Sequence, residues 1–210
     1  MSPDALAELA RLGSATVYEG AGRGRFVNAD LHQIVPGSRA AGPARTVRCA
    51  QGDNLMVHAA MSVLQPGEVL VLTMPQPAPV ALVGELLATQ AKARDAAALL
   101  VDASVRDVEE LAQLGPPTWA RWVRVQGAVK ETPGALDIPV DVGGATINPG
   151  DAVVLDADGV AVVEAERLEE VLQAAREREE RERVKAAKLA EGELSYDLDG
   201  LRAKVEGAVS

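Results

Sequence analysis

The chain has 210 residues, 48% hydrophobic and 25% charged, the balance of one soluble globular domain with an appendage rather than of a disordered segment. Net charge is −10, and the few aromatic residues (Tyr18, Phe26, Trp119, Trp122, Tyr196) are scattered, so phosphate backbones are repelled, no base-stacking platform forms and no nucleic-acid partner is expected. Cys49 is the only cysteine and His32 and His58 the only histidines, which excludes an internal disulfide, a thiolate cluster and a multi-histidine zinc site and leaves only a hard, oxygen-liganded metal.

Read in chain order, Ser2 can cap a short helix with Pro3 in its first turn and Gly13 at its end. A segment punctuated by Gly20, Gly22 and Gly24 follows. Pro36-Gly37 and Gly42-Pro43 bracket a turn-rich stretch before an alternating strand at Arg45 to Ala50. Gly52-Asp53-Asn54 reads as a turn and helix N-cap leading into Leu55 to Met61. After Pro66-Gly67, Glu68 to Leu72 is a buried-strand candidate, and the Pro75 to Pro79 run cannot continue it. Val80 to Arg94 carries a helical pattern, Ala97 to Asp102 the next strand, and Asp107 to Leu114 a short helix ended by Gly115-Pro116. The strand–helix alternation argues for an α/β core.

Beyond Trp119 the segments are short and β-rich: Val123 to Val129, Ile138 to Val142, Ala145 to Ile147, Ala152 to Leu155 and Val160 to Val163. Pro149-Gly150-Asp151 and Asp156 to Gly159 read as hairpin-type turns, so this half should supply an antiparallel layer or barrel. From Glu166 to Leu189 the chain reads as a long charged helix whose mixed-sign run, Arg176 to Arg183, forms a solvated face. No apolar run reaches the ~18 residues a membrane span needs. Met1-Ser2-Pro3-Asp4 lacks the basic start of a secretory signal, so no membrane association and a cytoplasmic location are expected.

The chemistry concentrates between Gly84 and Glu110. Gly84-Glu85-Leu86-Leu87 opens a helical stretch after a proline-rich loop, where backbone N–H groups and the helix dipole can face an anion. Val105-Arg106-Asp107 places a cation and a carboxylate at a strand-to-helix turn, where α/β folds keep their ligands, although Asp107 could simply cap its own helix. His58 is open between a substrate contact and a satisfied core histidine, and Asn54 between a cap and a ligand contact. Cys49 is most simply a small buried apolar residue. Trp119 and Trp122 read as core or interface packing rather than substrate contacts, and Lys130 with Glu131 as a structural or interface pair, with a part in the site as the lesser alternative.

Glu85, then Arg106-Asp107 and Glu110 after twenty intervening residues, resembles the signature of the class II 4-hydroxy-4-methyl-2-oxoglutarate / 4-carboxy-4-hydroxy-2-oxoadipate aldolases of the RraA-like family. So do the blocks Gly37 to Ala44, Gly52 to His58, Pro66 to Val71, Gly84 to Ala88, Lys130-Glu131, Gly143-Gly144 and Pro149 to Val160, so that the resemblance runs from about Ala15 to Arg202. It implies an α/β, swivelling β/β/α-type core over residues 1–165 with a C-terminal helical extension over 166–210, assembled as a homotrimer or homohexamer with sites between subunits. It also implies a 2-oxo acid substrate and a magnesium or manganese ion with Asp107 as its protein ligand. Arg106 would hold the keto-acid end, the Leu86 and Leu87 amides beside Gly84 the carboxylate, and Glu85 a water on the ion. Glu182 of the C-terminal helix would reach a neighbouring site, and Asn54 and His58 would touch substrate.

Two departures from the family pattern stand out, the first of which bears on the substrate. Thr73 to Pro79 replaces the Asp-Gly-Gly stretch common in relatives, which leaves a related lyase on another 2-oxo acid in play, and Glu19 stands where relatives often have Asp. Oxaloacetate decarboxylation is an expected second activity, because it passes through the same pyruvate enolate. The alternative of a different class is a non-catalytic RraA-like regulator that binds and inhibits a ribonuclease. Such regulators resemble this chain but lack the Asp of the Arg106-Asp107 pair. A methyltransferase is disfavoured by the absence of a Gly-rich dinucleotide-type turn.

Overall fold

A computed structural model describes residues 1–207. Helix α1 (Pro3–Leu12) is capped by Ser2, whose Oγ accepts the Ala5 N–H at 3.2 Å. A second helix, α2 (Ser14–Gly20), follows directly and ends at the first of the glycines that punctuate this segment. Its N-terminal acceptor comes from far along the chain: the buried Asp156 carboxylate takes the Ser14 N–H at 2.7 Å and the Ser14 hydroxyl at 2.6 Å. Two short edge strands, β1 (Arg25–Phe26) and β2 (His32–Gln33), lead to β3 (Ala40–Arg48).

Strand β3 begins five residues earlier than the alternation at Arg45 suggested, and Gly42-Pro43 lies inside it rather than in a turn. Pro43 tolerates this position because it stands where the strand exchanges partners. Ala40 to Pro43 pair antiparallel with β11 (Ala152–Leu155), and Ala44 to Arg48 pair parallel with β4 (Val69–Thr73). A Cβ on Gly42 would lie 2.2 Å from the Gly67 carbonyl oxygen, so only glycine permits this approach.

Between those strands and after them run α3 (Leu55–Val63), β5 (Ala81–Val83), α4 (Glu85–Ala93), β6 (Ala98–Val105), α5 (Val108–Leu114) and β7 (Thr118–Val123). The helix expected from Val80 thus starts only at Glu85, because Ala81–Val83 is claimed by parallel pairing with the C-terminal end of β6. Strands β3, β4, β6 and β7 form a parallel sheet in that order. The segment expected as a strand from Val123 to Val129 is instead an irregular loop, tied down by single bridges at Gly127 and Val129. Then come β8 (Ala135–Leu136), β9 (Val140–Val142), β10 (Ala145–Ile147), β11 and β12 (Val160–Val163). Asp156 to Gly159 joins the paired strands β11 and β12, but Pro149-Gly150-Asp151 joins β10 to β11, which do not pair, so it is no hairpin turn.

Alternation along the strands divides the core. Leu70, Leu72, Leu99 and Val101 face α3, α4 and α5, whereas Val69, Val71, Leu100 and Trp119 face the second β layer through Val142, Ile147, Val153 and Leu155. The far side of β11 and β12 packs through Val154 and Val163 on α1, α2 and the start of α6 (Leu168–Ala190). This is the layered α/β architecture with a long C-terminal helix expected from the sequence. Only Leu168, Val171, Leu172 and Ala175 of α6 are buried, so its first half packs across the body and its charged second half is solvated. Two short helices, α7 (Ser195–Leu198) and α8 (Leu201–Glu206), complete the extension, and the last three residues of the 166–210 segment lie outside the described residues.

Candidate active site

Strands β5 and β6 end side by side at the C-terminal edge of the parallel sheet, the edge where open α/β sheets keep their ligands. Gly84 then leads into α4, and Arg106-Asp107 into α5. The Arg106 N–H donates to the Val83 carbonyl at 3.0 Å, which locks the two turns together. Asp107 adopts the left-handed conformation (φ 56°, ψ 44°), which aspartate tolerates better than most residues. Its side chain does not cap α5. It reaches across instead, and Oδ2 accepts the Glu85 N–H of α4 at 3.0 Å, with Arg106 Nε 3.6 Å from the same oxygen. A Cβ on Gly84 would stand 2.5 Å from that oxygen, and one on Gly127 would stand 2.8 Å from Arg106 Nη1. Two glycines therefore make the space that the pair occupies.

These residues form one wall of a cleft of about 200 Å³. Gly84, Leu86 and Leu87 belong to it, and the Leu86 and Leu87 amides, in the first turn of α4, have no intrahelical acceptor. Asn54, His58 and Lys130 also line it. Asn54 is buried and is not a side-chain cap: its Nδ2 donates to the Leu82 carbonyl at 2.9 Å, and its Oδ1 has no partner. His58 Nε2 is likewise buried without a partner. Burial, assisted by the Lys130 cation, holds the His58 imidazole below its ordinary pKa, so the ring is neutral at pH 7. Lys130 makes no ion pair with Glu131 among the described residues; it lines the cleft, the lesser of the two alternatives that the sequence left open.

Other expected residues are placed elsewhere. Glu85 supplies its backbone N–H, and its exposed side chain is not part of the cleft wall. Glu182 lies on α6, in the layer opposite α3 and α4, and is paired with Arg178 Nη2 at 2.5 Å; Arg178 Nη1 in turn stands 3.8 Å from Glu19. Within one chain Glu182 does not meet the cleft. Trp119 is core, its indole N–H donating to the Asp156 carbonyl, and Trp122 lies under the Arg121 guanidinium. Cys49 is buried, which pushes its thiol up to about 12. The proline-rich loop is pinned by Gln51, which exchanges hydrogen bonds with the Gln76 backbone at 3.0 and 3.1 Å.

Among the described residues no group of three or more His, Cys, Asp or Glu side chains is placed to hold a metal ion. The donor set that remains is a single hard carboxylate. Asp107 Oδ1 carries no hydrogen bond among the described residues, and the side chain is 39% exposed toward the cleft. That suits an oxygen-preferring divalent ion whose remaining positions are filled by ligand and water.

A model of the RraA-like family, described as Aldolase/RraA, matches residues 14–162. A Halalkalibacterium halodurans protein with the provisional name 4-hydroxy-4-methyl-2-oxoglutarate aldolase is 37% identical over 138 residues, 66% of this chain and 66% of that protein's own length. Streptomyces coelicolor RraAS2, described as an unusual member of the RNase ES inhibitor RraA protein family, superposes with a TM-score of 0.79 at 28% identity, covering 89% of this chain and 97% of that one. The RNA-processing inhibitor RraA from Thermus thermophilis gives 0.66 at 27% identity, covering 71% and 91%.

Proposed function

Because the chain belongs to the RraA-like family, we propose that it is a carbon–carbon lyase, a divalent-metal-dependent aldolase. Its substrate in this reading is 4-hydroxy-4-methyl-2-oxoglutarate or 4-carboxy-4-hydroxy-2-oxoadipate, cleaved to pyruvate and a second 2-oxo acid. The observation that carries the reading is the Arg106-Asp107 turn, held by the Glu85 amide and given room by Gly84.

The chain's own groups divide the work. The Leu86 and Leu87 amides bind the C1 carboxylate, and Arg106 donates to the keto oxygen as negative charge grows there. Lys130, with Asn54 and His58 in the same cleft, receives the distal carboxylate. The C3–C4 bond breaks, its electron pair passes into the pyruvate enolate, and the C4 hydroxyl loses its proton to become a carbonyl. Glu85, at the rim, takes that proton through an intervening water, and the enolate carbon is then protonated. Magnesium or manganese on Asp107 would supply fixed positive charge beside the enolate oxygen. Oxaloacetate, which yields the same enolate on losing carbon dioxide, is a second substrate.

Leu86 is 78% exposed at the cleft rim, a side chain that a neighbouring subunit would cover. A homotrimer or homohexamer in which Glu182 enters an adjacent site is part of the proposal, as is a cytoplasmic setting. No helix among the described residues is long and apolar enough to cross a membrane. The names of the structural relatives favour a second reading, a non-catalytic protein that binds a ribonuclease. The test is pyruvate release from each acid with manganese or magnesium and with chelator. Metal-dependent release supports the lyase. No release from either acid or from oxaloacetate, together with inhibition of a ribonuclease, would establish the regulator instead.

A further inference from the structure

Asp53, just before α3, is 1% exposed and spends its two carboxylate oxygens on different tasks. Oδ1 accepts the Leu55 N–H at 2.7 Å, which begins α3. Oδ2 reaches 78 residues along the chain and accepts the N–H groups of Glu131 and Thr132, both at 2.7 Å. Capping a helix needs only the first of these. On the other side of Lys130, the Val129 N–H donates to the Gly52 carbonyl at 3.1 Å, and the Asn54 N–H donates to the Val129 carbonyl at 2.9 Å. Lys130 is thus bracketed on both sides by bonds to residues 52–54, the segment that launches Asn54 and His58 into the cleft wall. Upstream the loop is tied to β5, where the Ala81 N–H donates to the Gln126 carbonyl at 2.8 Å and the Ala128 N–H to the Ala81 carbonyl at 3.2 Å, but Val129 is 53% exposed and beyond it the Asp53 carboxylate takes the next two backbone donors after Lys130. Burial opposes ionisation of Asp53, but the backbone donors outweigh it and keep the carboxyl below its ordinary pKa.

We infer that Asp53 is a positioning residue for specificity: by clamping the Lys130 loop to the start of α3, it makes the cleft prefer 2-oxo acids that carry a second carboxylate. The inference rests on reading the cleft as a 2-oxo acid site. Without the clamp, Lys130 loses its fixed place in the cleft, and the cleft still binds the keto-acid end, which Arg106 and the α4 amides hold by themselves.

Two variants separate clamp from cap. In Asp53→Ser the short hydroxyl can still serve the Leu55 N–H but cannot reach Glu131 and Thr132. Asp53→Asn preserves size while turning an N–H donor toward one set of donors. Calorimetric binding of pyruvate and of 2-oxoglutarate, which lacks the 4-hydroxyl and cannot be cleaved, is measured on the full chain with magnesium present. The wild type should bind 2-oxoglutarate about tenfold more tightly than pyruvate, the scale of one charge-assisted contact. Both variants, and Lys130→Ala likewise, should bring the two affinities to within about threefold by weakening 2-oxoglutarate alone, and adding Lys130→Ala to Asp53→Ser should change nothing further. Equal weakening of both acids would mean a merely structural role and overturn the inference, as would an unchanged ratio or a wild type without preference. A wild type that binds neither acid would instead overturn the 2-oxo acid reading of the cleft, and this inference with it.

Discussion

The cleft and the α1–α2–α6 layer on the opposite side of the sheets treat their polar groups in opposite ways. In the outer layer the buried Asp156 carboxylate is saturated by the Ser14 N–H, the Ser14 hydroxyl and the Asp158 N–H, and its carbonyl takes the Trp119 indole. Surface charges there are paired as well, Arg11 with Glu179 and Arg176 with Glu8. At the cleft, Asn54 Oδ1 and His58 Nε2 are buried without partners, and Asp107 is held in a left-handed conformation. Buried polar atoms ordinarily find partners, so a wall that leaves two of them open is arranged for a ligand rather than for stability. The outer layer's own exception is Arg178 Nε, on the residue that binds Glu182.

That contrast can be broken or sharpened by substitution. Gly84→Ala places a methyl group where Asp107 Oδ2 sits, so the carboxylate must rotate away from the Glu85 amide. Turnover should fall about 100-fold, the cost of misplacing a reacting group by roughly 1 Å, while thermal unfolding changes little. Asp156→Ala should do the reverse. It strands the Ser14 and Asp158 donors at a buried site and should cost about 2–3 kcal/mol in chemical denaturation with kcat unchanged. Loss of turnover in that variant would mean that the two regions are not separable.

The smallest effect concerns pH. His58 resists protonation in the folded state because it is buried beside Lys130, so below its ordinary value of 6.5 the unfolded chain binds the proton more readily. Stability should therefore decline as the pH falls from 7 toward 5, and His58→Gln should flatten that part of the profile. An identical slope in the variant would assign the decline to other groups.

The same contrast explains what was legible in the sequence. Gly84 to Leu87 and Arg106-Asp107 could be singled out because the groups that build that wall are close in sequence and sit at a strand-to-helix turn. Lys130 stood only as a lesser alternative, since its place beside the cleft depends on the Asp53 carboxylate, 78 residues from the Glu131 amide that it accepts. Strand β5 was hidden inside an apolar run that continues into α4, and periodicity cannot divide three residues from a following helix when the deciding factor is pairing with Ser104 and Val105. Helix α2 was hidden because its N-terminal acceptor, Asp156, belongs to a distant hairpin. Strands β4 and β6 were plain, since strands buried on both faces read as unbroken apolar runs.

The most direct test of the account is a paired measurement on Asp107→Ala: pyruvate release from 4-hydroxy-4-methyl-2-oxoglutarate with manganese, and thermal unfolding, both against the wild type. The account predicts that metal-dependent release falls at least about 1,000-fold, as when a charge-stabilising group is removed, while the unfolding midpoint moves by no more than a few degrees. Undiminished release in a folded variant would contradict it, because the carboxylate at the centre of the cleft would then have no part in the chemistry.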